Sequence, residues 1–217
     1  MRIVFCASHA IAELFSPDEC SAITKLCERH PVRDGQVWTR TGYAVDRRIR
    51  DLRTAYVPRN DETQWIFDRM DQLFVRVASR WRIDVDRTVE DLKFMVYRKG
   101  SHFAAWHSDV GSDYTRLRRL SMSVELCASQ DYEGGDLQIF PAASGHVAGE
   151  NRPAGIAIVF PSNRRHRITP VTRGVRRSLV NWISAAASES TQAIPRPQHQ
   201  RGSSSSRSRR RGQAIRV

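Results

Sequence analysis

The chain has 217 residues, 40% hydrophobic and 27% charged, with a formal net charge of +12. That length suits one well-buried domain with peripheral elements and is short for two full domains, and the composition excludes disorder across the chain as a whole. No apolar run approaches the roughly 20 residues that a membrane span needs.

The opening stretch MRIVFCASHAIAELF has a short apolar run broken by His9 and no clear small-residue cleavage site, so a cytoplasmic location is expected. Next, SPDECSAITKLCERH (16–30) reads as a helix. Ser16 suits the N-cap, Pro17 the first helical position, and Ile23, Leu26 and Cys27 recur at helical spacing. Cys20 and Cys27 fall on one face of it. With Cys6 and Cys127 they form no CxxC pair, so they read as small buried thiols in a reducing compartment. LRTAYVPRN (52–60) suggests a short strand and turn. DETQWIFDRMDQLFVRVASRW (61–81) places Trp65, Ile66, Met70, Leu73 and Val77 on the stripe of a second, longer helix.

From Leu92 the pattern changes to short apolar runs separated by glycine and polar clusters. LKFMVY, FAAWHSD, LRRLSMSVEL, DLQIF, GIAIVF, HRITPV and RRSLVNWI are spaced like the strands of an all-β sandwich or barrel. DYEGGDL (131–137) supplies a Gly-Gly turn between two of them, and the N-terminal helices are expected to cover one face. The predicted division is support from 1–90, a core at 91–186 and a basic tail at 187–217. Seven of the twelve net positive charges lie between Pro195 and Val217, in PRPQHQRGSSSSRSRRRGQAIRV, which leaves +5 for the rest. That tail cannot bury enough apolar surface to fold alone. It could bind RNA or an anionic surface weakly, but a solvated extension is the favoured reading.

Residues i and i+2 of a strand share a face, so His107 and Asp109 in AAWHSDVG offer an imidazole nitrogen and a carboxylate at one point, with Trp106 and Ser108 facing away. A third ligand has to come from elsewhere. His9, His30 and His199 lie in the N-terminal region or the tail, His102 has the wrong parity, and His146 sits in a polar stretch. His166, at the edge of a strand, is the best candidate. Two histidines and a carboxylate on one face of an octahedral metal leave three positions open, which suits non-haem Fe(II) and O₂, whereas structural zinc normally takes four protein ligands. A lone HxD also fits a hydrogen-bonded histidine. Arg176, ten residues beyond His166, bears on the choice. Alternation sends Arg176, Ser178, Val180 and Trp182 to one side. A guanidinium buried there needs an anion, and its planar fork matches a carboxylate; the alternative is a surface arginine in an Arg-rich strand.

YRKGSHFAAWHSD, LRRLSMSVELCASQDYEGGDLQIFP and GIAIVFPSNRRHRITPVTRGVRRSLVNWI together resemble the catalytic domain of the Fe(II)- and 2-oxoglutarate-dependent dioxygenases. Within that superfamily they are most similar to the prolyl 4-hydroxylase-like group, including the bacterial PKHD-type hydroxylases. The resemblance covers about residues 92–184. It implies a mainly β fold with N-terminal helices: a double-stranded β-helix (jelly-roll, cupin-like) barrel with helices packed on one face. It also implies Fe(II) ligation by His107, Asp109 and His166, and binding of the distal carboxylate of 2-oxoglutarate by Arg176. Tyr97 matches a tyrosine that often contacts the cosubstrate, and Ser178 is expected to add a hydrogen bond. Collagen-type relatives carry lysine where Arg176 stands. Asp109 is present where the related halogenases have a small residue, so hydroxylation is the expected chemistry. It would consume O₂ and release succinate and CO₂, with ascorbate as a possible reductant.

The resemblance encodes the cosubstrate half of the site, and a small-molecule or a peptidyl substrate both fit. The strand around RRLSMSVE and segments 32–48 and 110–116 are expected to line the substrate pocket. Arg116, Arg118 and Arg119 could pair with an acidic or carboxylate-bearing substrate, but they read most simply as surface arginines. Two other readings stand beside this one. An AlkB-like nucleic-acid demethylase is weakened by the lack of that group's spaced arginine–asparagine pattern in RRSLVNW. A non-catalytic barrel binding RNA or a partner through its basic tail is weakened by the intact ligand set. Neither a membrane partner nor a defined oligomeric state is indicated.

Overall fold

The computed structural model describes residues 1–39, 42–88, 90–140 and 152–185. Helix Pro17–Glu28 begins where the Glu19 backbone N–H donates to the Ser16 hydroxyl and the Ser16 N–H donates to the Glu19 carboxylate. This reciprocal cap satisfies two donors that a helix start leaves open. The helix buries Cys20, Ile23 and Cys27, and all four cysteines are free thiols. Ser16→Ala should lower stability by about 1 kcal/mol. The measurement is urea unfolding, where the midpoint should fall at constant m-value; an unmoved midpoint would show the cap to be dispensable.

The second helix, Gln64–Trp81, starts later than the pattern suggested, because Asn60 and Thr63 tie residues 60–63 into a hydrogen-bonded turn. Its apolar face, Ile66, Phe67, Met70, Leu73, Phe74, Val77 and Ala78, is buried. Both helices pack on one side of an eight-stranded antiparallel sheet through a shared core that includes Ala55, Phe94, Leu120, Met122, Val124, Leu179 and Ile183. No helix among the described residues is long and apolar enough to cross a membrane.

The strands of this large sheet run in the order Ile3–Phe5, Ala10–Glu13, Ile156–Pro161, Arg118–Glu125, Arg176–Ser184, Leu92–Tyr97, Arg53–Val57 and Arg33–Asp34. A smaller sheet has the order Leu137–Ile139, His166–Ile168, His102–His107 and Arg50–Asp51. A second core joins Met95, Tyr97, Ile158 and Phe160 of the large sheet to Leu137, Ile139 and Ile168 of the small one. The molecule is therefore mainly β, two facing sheets with helices on the outer face of the larger. Among the described residues, strand pairing leaves both sheets open at their ends.

Three local differences from the sequence pattern have physical causes. The run HRITPV is two strands, His166–Ile168 and Val171–Gly174, in separate ladders. Pro170 stands between them and has no N–H to donate to a ladder. The Gly-Gly turn joins strands that pair with other partners, and both glycines have positive φ, 71° at Gly134 and 67° at Gly135. Finally, Ala10–Glu13 pairs with Ile156–Pro161, so the N-terminal segment is part of the large sheet itself. The expected tail at 187–217 and His146 lie outside the described residues.

Candidate metal centre and its cavity

His107 ends one strand of the small sheet and His166 begins its neighbour. The two are directly paired across the ladder, with ring centroids 4.2 Å apart. Asp109 lies two residues past the end of its strand, so its position does not come from strand alternation alone. Its backbone N–H donates to the Ser162 carbonyl at 3.0 Å, and its Oδ2 accepts from the Ser121 hydroxyl at 2.7 Å. Ser121 and Ser162 belong to or border the large sheet, so Asp109 is held between the sheets. One ligand atom from each of His107, Asp109 and His166 falls within 4.8 Å of the others.

Hydrogen bonding selects the imidazole form. Nδ1 of His107 lies 2.9 Å from the Ala105 carbonyl, and Nδ1 of His166 lies 3.0 Å from the Arg164 carbonyl. A carbonyl only accepts, so each Nδ1 carries a proton and each Nε2 is the atom left facing the centre. Burial, then the neighbouring His166, pushes His107 down to about 3, which keeps its ring neutral at ordinary pH. Burial alone would raise the Asp109 carboxyl, but His166, Arg118 and His107 outweigh it and hold the group well below the usual carboxylate range. Phe103 stacks on His107 at 3.6 Å and Phe160 packs edge-on against His166 at 4.8 Å. Two imidazoles and one carboxylate, on one side of a point, fit Fe(II) with positions left for other ligands.

Arg176 lies on the same cavity and is 1% exposed. It is directly paired with Tyr97 on the adjacent strand, and its guanidinium sits 5.3 Å from the Tyr97 ring. Nε donates to the buried Glu125 carboxylate at 2.9 Å. Burial disfavours the cation, but Glu125 and the Tyr132 and Tyr97 phenols reverse this and raise its pKa. The two terminal nitrogens, Nη1 and Nη2, are buried with no hydrogen-bond partner among the described residues. Buried donors of this kind are rarely left unpaired, and together they form the end-on fork that a carboxylate fills. Gly135 makes the approach possible, since a Cβ there would stand 3.0 Å from Arg176 Cδ. Ser178, Val180 and Trp182 line the same cavity, while Leu179 and Ile183 pack the core on the other face.

The cavity has a volume of ≈ 450 Å³, within the roughly 300–1,000 Å³ typical of small-ligand sites. As the sequence suggested, parts of 32–48 and 110–116 form its rim, with Trp38, Tyr43, Asp113 and Tyr114 among its walls. The Tyr43 hydroxyl donates to Asp113 at 3.1 Å and joins the two segments. Arg116 and Arg119 are exposed, as expected. Arg118 is not: it is buried against Glu90, stacks on Trp182 at 3.8 Å, and donates to the Asp109 carbonyl at 3.1 Å. Two further cations of the wall, Arg50 and Lys93, carry no motif that would have singled them out. Burial, then Arg50 and Arg118, pushes the half-buried Lys93 down to about 7.

Residues 92–184 match the sequence profile of the 2OG-Fe(II) oxygenase superfamily. A PKHD-type hydroxylase of Herminiimonas arsenicoxydans is 31% identical over 102 residues, 44% of this chain and 44% of that protein. The chain thus spans less than half the length of the curated relatives it matches. A crystal structure of a Pseudomonas putida prolyl-4-hydroxylase superposes with TM-score 0.60 at 23% identity, covering 83% of this chain and 95% of the other. A prolyl hydroxylase from Trichoplax adhaerens, solved in complex with a hypoxia inducible factor peptide fragment, gives TM-score 0.63 at 19% identity, covering 82% and 83%. The solved structures share the fold. Over its residues 92–184, the chain is thus similar to the 2OG-Fe(II) oxygenase superfamily, and within it to the PKHD-type hydroxylases.

Proposed function

We propose that this protein is an Fe(II)- and 2-oxoglutarate-dependent hydroxylase acting on an unactivated C–H bond. One observation carries the reading: the His107–Asp109–His166 cluster and the unpartnered fork of Arg176 open on one cavity. Fe(II), 2-oxoglutarate and O₂, which this superfamily uses, supply the oxidising chemistry when bound, with succinate and CO₂ as products.

The chain's own part is to hold and to shield. The Ala105 and Arg164 carbonyls fix the two imidazoles with Nε2 toward the centre. Ser121 holds the carboxylate oxygen of Asp109. Arg176 presents Nη1 and Nη2 to the distal carboxylate of 2-oxoglutarate, with Tyr97 beside it and Ser178 in the same wall. Phe103 and Phe160 keep water from the imidazole faces. The test is anaerobic reconstitution with Fe(II) and 2-oxoglutarate. A weak visible charge-transfer band should form, and succinate should appear on admitting air. Neither signal in folded protein would sink the reading.

A further inference from the structure

Among the described residues, four Arg and Lys side chains line the cavity, and two of them are already matched within the protein. Arg176 faces Glu125, and Arg118 faces Glu90. Arg50 and Lys93 make no ion pair among the described residues. Arg50 is 7% exposed, and its Nη1 donates to the Gln36 carbonyl at 2.9 Å. Its Nε and Nη2 are buried with no hydrogen-bond partner among the described residues. These two atoms form one edge of the guanidinium, with parallel N–H bonds, which is the side-on geometry that takes both oxygens of a carboxylate. A Cβ at Gly35 would stand 2.9 Å from this Nε, so a residue without a side chain leaves that edge uncrowded.

The Lys93 ammonium lies 5.2 Å from the Tyr56 ring and 5.3 Å from the Trp182 ring. Arg50 is fixed over the Phe103 ring at 4.9 Å, and Phe103 in turn stacks on His107. Both cations are close enough to Asp109 for its charge to act on them, whereas the charges that act most on Arg176 are Glu125, Tyr132 and Tyr97. The cavity therefore has a second cationic region beside the metal cluster, separate from the Arg176 fork. A desolvated guanidinium edge without an anion is unfavourable, and no acid among the described residues fills this one.

We infer that Arg50 and Lys93 form a carboxylate clamp for the substrate, so that the molecule hydroxylated is a small carboxylate-bearing compound rather than an uncharged segment of a peptide. This rests on the hydroxylase reading and adds the substrate class. The aromatic walls, Tyr56, Trp182, Trp38 and Tyr43, take its apolar part, and the clamp sets which carbon faces the metal cluster.

The experiment compares carboxylic acids with their primary amides, which match in shape and differ in charge. N-acetylglycine, N-acetylproline and benzoate, each beside its amide, are titrated anaerobically into full-length protein loaded with Fe(II) and 2-oxoglutarate. Tryptophan fluorescence follows binding, with Trp182 and Trp38 in the cavity wall. At least one acid should bind ten or more times tighter than its amide, and Lys93→Met and Arg50→Met should each remove most of that preference. Lys93→Met carries the test if Arg50→Met does not fold. Equal binding of acids and amides, or no binding of any acid, overturns the clamp. So does an Arg50→Met protein that loses affinity for 2-oxoglutarate but still prefers acids, since Arg50 would then serve the cosubstrate. The charge-transfer band is read before any probe is added. Its absence counts against the metal reading alone, because the fluorescence titration needs no metal and still answers for the clamp.

Discussion

Asp109→Ala should abolish Fe(II)-dependent succinate formation and leave the fold intact. Removing the carboxylate takes the one anionic donor from the cluster, and two neutral imidazoles hold Fe(II) too weakly to sustain turnover. The fold should survive because the Ser121 hydroxyl retains Ser162 as a partner at 3.0 Å. Ser121→Ala separates holding from ligating. It keeps all three donors and loses the hydroxyl that meets Asp109 Oδ2 and Ser162, so metal affinity or activity should fall by about 10–100-fold rather than vanish. Metal content after dialysis, succinate yield and circular dichroism together decide the matter. A fully active Asp109→Ala protein would remove the metal assignment, and Ser121→Ala indistinguishable from wild type would show that Asp109 is placed by its backbone alone.

Arg176→Ala should do two things at once, and they can be pulled apart. Loss of a charge-assisted bidentate contact, about 1.5–3 kcal/mol, should raise the 2-oxoglutarate requirement by roughly 10–150-fold. The same substitution strands Glu125, whose side chain is 1% exposed. Breaking one half of a buried pair typically lowers stability by about 3–5 kcal/mol. The double variant Arg176→Met with Glu125→Gln removes both charges. It should recover most of the stability in urea unfolding while the 2-oxoglutarate requirement stays high. If the double variant also recovered cosubstrate affinity, Arg176 would be a structural cation and another residue would bind the dicarboxylate.

The positions of these groups were legible in the sequence to unequal degrees. Alternation along RRSLVNWI separates the cavity side, Arg176, Ser178 and Val180, from the core side, Leu179 and Ile183, and the structure has that division. The parity of His107 and Asp109 picks out two side chains that the structure does bring together, although Asp109 is held by Ser121 and Ser162 beyond the strand. Arg118 was misjudged because its partners Glu90 and Trp182 are distant in the chain, and nothing near it signals burial. Arg50 and Lys93 escaped for the same reason: their surroundings, Gln36, Phe103, Tyr56 and Trp182, come from four separate segments. Periodicity reports which face a side chain takes. It does not report which charges meet across a fold.

The pairing of Ala10–Glu13 with Ile156–Pro161, and of Arg53–Val57 with Leu92–Tyr97, bears on where this chain can be cut. A fragment trimmed to the family-matching residues 92–184 would lose both outer partners at once. It would present two long rows of bare backbone donors and acceptors, flanked by the apolar face that the helices now cover. Such a fragment is a template for edge-to-edge aggregation. The recognisable part of the sequence is thus smaller than the part whose strands are paired, and expression boundaries belong upstream of Ile3 rather than at Leu92.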